Sequence, residues 1–237
     1  MTTYAIVPAR SGSKGLPDKN IRPLAGHPLL SWSIAFARAL GVDRVICSTD
    51  SEQYAEIARS YGAEVPFLRS ADASSDTAME EDILRDFAVK FPKHGITQPE
   101  LLVWLRPTFV FRDIDAVRRC IDVLESDSSF TAARTVCESE GRLYRLEQNG
   151  RLSPEFDDMG KSMIRRQALG QRYKVFSTDI IRFDSGNIND DFLGRNVYGI
   201  SVDKFCGLDI DDIEDFQLIE ALMNGNRSLV DKYLFLN

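Results

Sequence analysis

Tyr4-Ala5-Ile6-Val7-Pro8-Ala9-Arg10-Ser11-Gly12-Ser13-Lys14-Gly15-Leu16-Pro17-Asp18-Lys19-Asn20 is an apolar run that breaks without transition into a cationic, glycine-rich segment. Such a break reads as a buried β-strand feeding a loop. Gly12 and Gly15 remove the Cβ that would keep backbone N–H groups away from an anion, while Arg10, Lys14 and Lys19 add positive charge. The segment therefore reads as a cradle for a polyphosphate. It contains neither G-x-x-x-x-G-K-[ST] nor G-x-G-x-x-G, which excludes a Walker loop and a dinucleotide fingerprint. On composition alone the same stretch is also a basic surface turn.

Outward from this motif, short apolar runs alternate with segments of helical period, the pattern of a largely parallel α/β sheet. Strands are expected at 4–8, 44–48, 64–67, 101–105 and 129–136, and helices at 28–40, 51–61, 77–91 and 114–125. Asp113 is placed to cap the last of these, and Pro28 suits a first helical turn. Beyond Val136 the pattern changes. Residues 141–152 read as a hairpin around Gln148-Asn149-Gly150, because Asn-Gly favours a two-residue turn. Residues 153–171 are polar and irregular. Further strands are expected at 173–183, 196–202 and 205–209, with a helix at 213–224. The reading is one domain over 1–237, with roughly 138–175 an inserted arm.

The chain has 237 residues, 43% hydrophobic and 27% charged, enough for a substantial core. Its net charge of −7 argues against nucleic-acid binding, which calls for a basic face. A cationic pocket in an acidic protein instead suits a small anionic ligand. No apolar run approaches the roughly 20 residues of a membrane span, and the N-terminus lacks a secretory pattern, so the expected location is the cytoplasm. The four cysteines, Cys47, Cys120, Cys137 and Cys206, are widely spaced and read as buried free thiols.

The motif string Pro8-Ala9-Arg10-x-Gly12-Ser13-Lys14-Gly15-Leu16-Pro17-x-Lys19-Asn20-Ile21-Arg22-Pro23-Leu24 closely resembles the signature of the acylneuraminate cytidylyltransferases, the CMP-sialic acid synthetases. The similarity continues through 26–34, Ser48-Thr49-Asp50-Ser51, 61–70 and Ser75-Asp76-Thr77-Ala78. It is patchy through the middle of the chain and returns at Gly207-Leu208-Asp209-Ile210-Asp211. This resemblance implies a Rossmann-like sheet of the nucleotide-diphospho-sugar transferase type with a dimerisation arm. The implied reaction is Mg²⁺-dependent transfer of CMP from CTP to the anomeric hydroxyl of a 2-keto-3-deoxy sugar acid, with release of pyrophosphate, by a homodimer. Two other readings stay open: an enzyme of the same fold with a different acceptor, such as a phosphonate, and an inactive nucleotide-binding homologue.

Nucleotidyl transfer depends on positioning and charge neutralisation, not on a covalent nucleophile. The resemblance assigns Arg10 and Lys19 to the triphosphate, with Ala9, Gly12, Ser13, Lys14 and Asn20 around the phosphates or ribose. It places Arg69 and Asp76 near the base; for Asp76, a helix cap or loop brace is an equal alternative. Asp209 and Asp211, two apart in an extended segment, share a face and suit a Mg²⁺ ion. The alternative there is an acidic helix start, because Asp211, Asp212, Glu214 and Asp215 all sit where a helix dipole favours negative charge. Arg165, Arg166 and Gln167 resemble a family motif near the arm, suited to an acceptor carboxylate, or else form a basic surface cluster. Trp32 and Trp104 fall in apolar patterns and read as core.

Two departures from the family pattern fall on the acceptor side. Members commonly read Leu-Gln-Pro-Thr-Ser-Pro where this chain has Leu105-Arg106-Pro107-Thr108-Phe109-Val110. Arg106 replaces a neutral amide with a donor-only cation, fit for an acidic group of a different acceptor or for a nearby aspartate. After Tyr173, an Asn-Gly pair leading into Ala-Ile-Tyr gives way to Lys174-Val175-Phe176-Ser177-Thr178-Asp179. The expectation is an acceptor other than N-acetylneuraminic acid, contacted by Arg106, Tyr173 and Phe176.

Overall fold

The computed structural model describes residues 1–139, 143–155, 170–175, 177–189 and 191–236. The chain alternates as expected through its first half: β1 (Thr3–Pro8), the two-residue strands β2 (Pro23–Leu24) and β3 (His27–Pro28), α1 (Leu29–Leu40), β4 (Arg44–Ser48), α2 (Glu52–Ser60), α3 (Ala71–Ser74), α4 (Glu80–Lys93), β5 (Leu101–Trp104), α5 (Ile114–Ser126) and β6 (Ala132–Glu138). The second half adds β7 (Tyr144–Leu146), β8 (Leu152–Pro154), β9 (Tyr173–Lys174), β10 (Asp179–Arg182), α6 (Ser185–Asn189), β11 (Val197–Val202) and α7 (Ile213–Gly225).

The main sheet runs β11-β6-β10-β5-β1-β4, with β9 added to the far end of β6. Pairs β1–β4, β1–β5 and β11–β6 are parallel, while β10 runs antiparallel between β5 and β6. The central strands are apolar on both faces, because helices cover both. One face packs Ala5, Val7, Val103 and Ile180 against α1 residues such as Ile34 and Phe36. The other packs Ile6, Leu102, Trp104 and Ile181 against Phe87 and Phe91 of α4, whose rings stack at 4.9 Å. The loops after β1, β4 and β5 leave the sheet at the same carboxyl edge, where parallel α/β sheets bind their ligands.

Several expected elements differ. Residues 64–67 make only an isolated parallel bridge, Ile46 to Glu64, because the chain turns at once into the Arg69 loop. Residues 205–209 are not a strand: Lys204–Gly207 is a 3₁₀ turn whose Asp203 side chain accepts from Phe205 N–H. The 173–183 strand divides into β9 and β10. Pro28 precedes α1 as its cap and pairs in β3, so its place is one residue before the helix. Asp113 caps α5 by accepting from Ala116 N–H, and Asp212 caps α7 by accepting from Asp215 N–H. The β7–β8 hairpin closes around Gly150, at φ +82°. All four cysteines are buried and free, and burial pushes the Cys47, Cys120 and Cys206 thiols up to about 12. Among the described residues, no helix is long and apolar enough to cross a membrane.

Candidate active site

The loop after β1 is held in place from below. Ser11 donates both its N–H and its hydroxyl to the Asp50 carboxylate, at 2.7 and 2.9 Å. Buried Asn20 donates its amide to the Arg10 carbonyl at 3.0 Å, and Tyr54 donates to Asp18. These bonds fold residues 11–18 into an irregular loop with Gly12 at φ +70°, a conformation that suits glycine. Ala9 is buried and its N–H is taken by the Ser48 carbonyl, so it brings no donor to the cleft.

A cleft of about 340 Å³ opens over this loop. Arg10, Ser13, Lys14, Gly15, Lys19 and Asn20 line one side, and Arg69 forms part of the floor. Arg69 is buried, donates to the Ser48 hydroxyl and carbonyl at 3.0 and 2.7 Å, and burial lowers its pKa to about 10. Asp76 bridges Arg10 at 3.1 Å and Lys14 at 2.9 Å, and these two partners, Lys14 foremost, hold its carboxyl below the usual range. In this structure Asp76 is thus the brace of two cations that face the cleft.

The late aspartates do not line this cleft, but the segment that carries them is bonded to two residues that do, Lys19 and Thr108. Lys19 Nζ donates to the Ile210 carbonyl at 2.7 Å, leaving two further N–H donors. Ile210 N–H in turn donates to Thr108 at the end of the β5 loop, at 3.1 Å. Ile210 is buried, while Asp209 is half-buried and Asp211 is exposed. Burial pushes the Asp209 carboxyl up and the Asp211 charge adds to this, while the Thr108 hydroxyl, Lys174 and Lys19 pull it back. Asp209 Oδ1 is buried with no hydrogen-bond partner. An orphaned carboxylate oxygen beside a second carboxylate is a donor set that fits Mg²⁺, which takes one or two protein carboxylates and completes its shell from phosphate and water.

Arg106, expected to face the acceptor, is occupied within the chain. It donates to Asp179 at 2.6 Å and to Glu80 at 2.9 Å. Burial alone would lower its pKa, but the two carboxylates outweigh this and hold it raised. Asp179 and Glu80, absent from the expected site, come from the second divergent stretch and from the start of α4. Lys174 lies over the Phe109 ring at 5.7 Å and acts on Asp209, a further residue not foreseen. Tyr173 is exposed on β9, opposite Glu138, and does not line the cleft. Trp32 is core as expected; Trp104 is buried too, yet contributes to the cleft wall. Arg165, Arg166, Gln167 and Phe176 lie outside the described residues.

A parallel-centred sheet with a cationic loop after its first strand and an acidic pair opposite defines the nucleotidyltransferase fold. The structure is similar to CMP:2-keto-3-deoxy-manno-octonic acid synthetase solved with CTP, at TM-score 0.64 and 14% identity, covering 94% of this chain and 99% of that one. It is also similar to 4-diphosphocytidyl-2C-methyl-D-erythritol synthase from Anaerococcus prevotii, at TM-score 0.61 and 13% identity, covering 94% and 98%. Residues 4–147 match the cytidylyltransferase family model, and the chain belongs to that family. It is 43% identical over 232 residues to a pseudaminic acid cytidylyltransferase of Campylobacter jejuni, covering 95% of this chain and 98% of the relative. It is 32% identical over 237 residues to an N-acylneuraminate cytidylyltransferase of Escherichia coli, and 39% identical over 124 residues to a CMP-N,N'-diacetyllegionaminic acid synthase of Legionella pneumophila. These alignments cover 97% and 52% of this chain; it spans about half the length of both relatives, 54% and 53%.

Proposed function

We propose that this protein transfers CMP from CTP to the anomeric hydroxyl of a sialic-acid-like 2-keto-3-deoxy sugar acid. The observation that carries this reading is the contact between loop and acidic pair: Lys19 donates to Ile210, and Gly15 packs on Asp211. These contacts join the cationic loop to the main chain of the segment that carries the two carboxylates, which supports a shared role in binding a triphosphate and its metal. The relatives' names share the cytidylyl group and differ in the acid, so CTP is the better-supported substrate and the acid the open one.

The acceptor hydroxyl attacks the α-phosphorus and gives its proton to water, a new P–O bond forms, and the bond to the β-phosphate breaks, so that pyrophosphate leaves with the electron pair. Arg10, Lys14 and Lys19 neutralise the charge that moves onto the leaving group. Asp50 and Asn20 keep the loop shaped for this before the nucleotide arrives, which lowers the reorganisation needed in the transition state. Asp209 and Asp211 would hold Mg²⁺, which would supply positive charge to the phosphate oxygens and so lower their repulsion of the incoming oxygen.

A homodimer fits the arm. Leu146 and Leu152 on the hairpin are 70% and 61% exposed, and Leu143, Tyr144 and Tyr173 are exposed as well. Calorimetry with CTP, UTP and ATP in Mg²⁺ tests the nucleotide half. CTP is expected to bind tightest, and preference for another nucleotide would overturn the assignment.

A further inference from the structure

The two stretches in which the sequence departs from the family pattern meet in one ion pair, Arg106 with Asp179. Asp179 is fully buried on β10, and its other oxygen accepts from Arg134 of β6 at 2.9 Å. Arg106 reaches on to Glu80, whose side chain is 31% exposed and lines the cleft between Met79 and Ile83. Among the described residues, these ion pairs join two arginines to two carboxylates. Buried pairs of this kind return in Coulomb energy about what they cost in desolvation, so position is the stronger reason to look for here. The position fixed is that of Glu80. Arg106 is spent as a cation; what the cleft meets is a carboxylate, an acceptor-only group beside apolar neighbours.

A carboxylate repels a triphosphate, so the phosphates belong at the cationic side of the cleft, away from Glu80. The relatives share a cytidylyl donor and differ in sugar acid, and the divergent stretches supply Arg106 and Asp179, the two members that hold Glu80 in place. We propose that Glu80 reads the acceptor by accepting a hydrogen bond from an N–H or O–H donor on it, such as an acylamino N–H whose acyl group packs on Met79 and Ile83. Arg106, anchored by Asp179 and Arg134, is the positioning residue. An acceptor with an anionic substituent at that position is rejected. This inference rests on the proposed cytidylyl transfer.

The test is steady-state kinetics of pyrophosphate release with CTP, Mg²⁺ and N-acetylneuraminic, deaminoneuraminic, legionaminic, pseudaminic and 3-deoxy-octulosonic acids. With the acid that turns over best, Glu80→Gln is expected to raise the acceptor KM by about ten-fold or more, the loss of one charge-assisted hydrogen bond. The KM for CTP should stay unchanged. Arg106→Gln is expected to shift the acceptor KM in the same direction, and the double variant to be no worse than the poorer single one, because the residues act as one unit. An unchanged acceptor KM in Glu80→Gln, or a rise in the CTP KM instead, overturns the inference while leaving the reaction intact. A silent wild type across all five acids, with CTP bound, overturns the reaction and the inference together.

Discussion

Gly15 rests against the main chain of Asp211: a β-carbon at Gly15 would stand 2.8 Å from the Asp211 carbonyl oxygen. The cationic loop and the main chain of the Asp209–Asp211 segment are therefore in van der Waals contact, and the close fit has no room for a methyl group. Because the obstruction is backbone, no side-chain rotation relieves it. Gly15→Ala is expected to push the loop off the aspartate segment and lower kcat/KM by about 10²-fold, as small misplacements of positioning groups do. Its effect on the melting temperature should be small, since the loop surface is exposed. Near-normal turnover of Gly15→Ala would show that the contact is incidental.

Asp209 carries an opposite balance of stability and function. Its folded carboxyl is raised above its unfolded value by burial, so the folded state holds the extra proton between the two. That stabilisation is present on the acid side and is lost as pH rises through the folded pKa. Without metal, Asp209→Asn is therefore expected to melt no lower than wild type at pH 8, and any advantage to vanish toward pH 3. Mg²⁺ with CTP should raise the melting temperature of wild type but not of this variant, whose turnover falls by at least about 10²-fold. Equal protection by Mg²⁺ and CTP in both proteins would remove Asp209 from the metal site.

Gly207 sits so close to Cys137 that a β-carbon there would overlap the sulfur, and it directly precedes the Leu208-Asp209 step into the site. Gly207→Ala is expected to destabilise the fold by about 1–3 kcal/mol through overpacking. Adding Cys137→Ala should recover most of that loss, since the Cys137 β-carbon lies at an ordinary 3.4 Å. Urea melts of the single and double variants check this; no recovery in the double variant would place the strain elsewhere.

The hairpin leucines give a test of assembly. Leu146→Asp with Leu152→Asp is expected to convert a dimer to a monomer in light scattering without loss of helix or sheet signal. A wild-type monomer, or a dimer indifferent to both changes, would assign the arm another role.

The first half of the fold was legible because its strands are continuous apolar runs and its helices carry strong periodicity and a readable cap at Asp113. The 64–67 and 205–209 runs misled because apolar composition does not reveal whether a neighbouring strand is in reach. In the site, the cationic loop was readable from its glycines and charges. That Arg106 pairs with an aspartate was one of its two readings, but which carboxylates it meets was not legible, because they lie 26 and 73 residues away in sequence. Asp179 looks like a surface charge in the text; only the placement of β10 between β5 and β6 buries it against two arginines.

The most direct measurement is mass detection of a CMP-linked sugar acid after incubating the protein with CTP, Mg²⁺ and each of the five acids. The account predicts one preferred acceptor yielding a product of CMP plus the acid less water, in step with pyrophosphate, and none after removal of Mg²⁺. Tight CTP binding with no CMP adduct from any acid would contradict it.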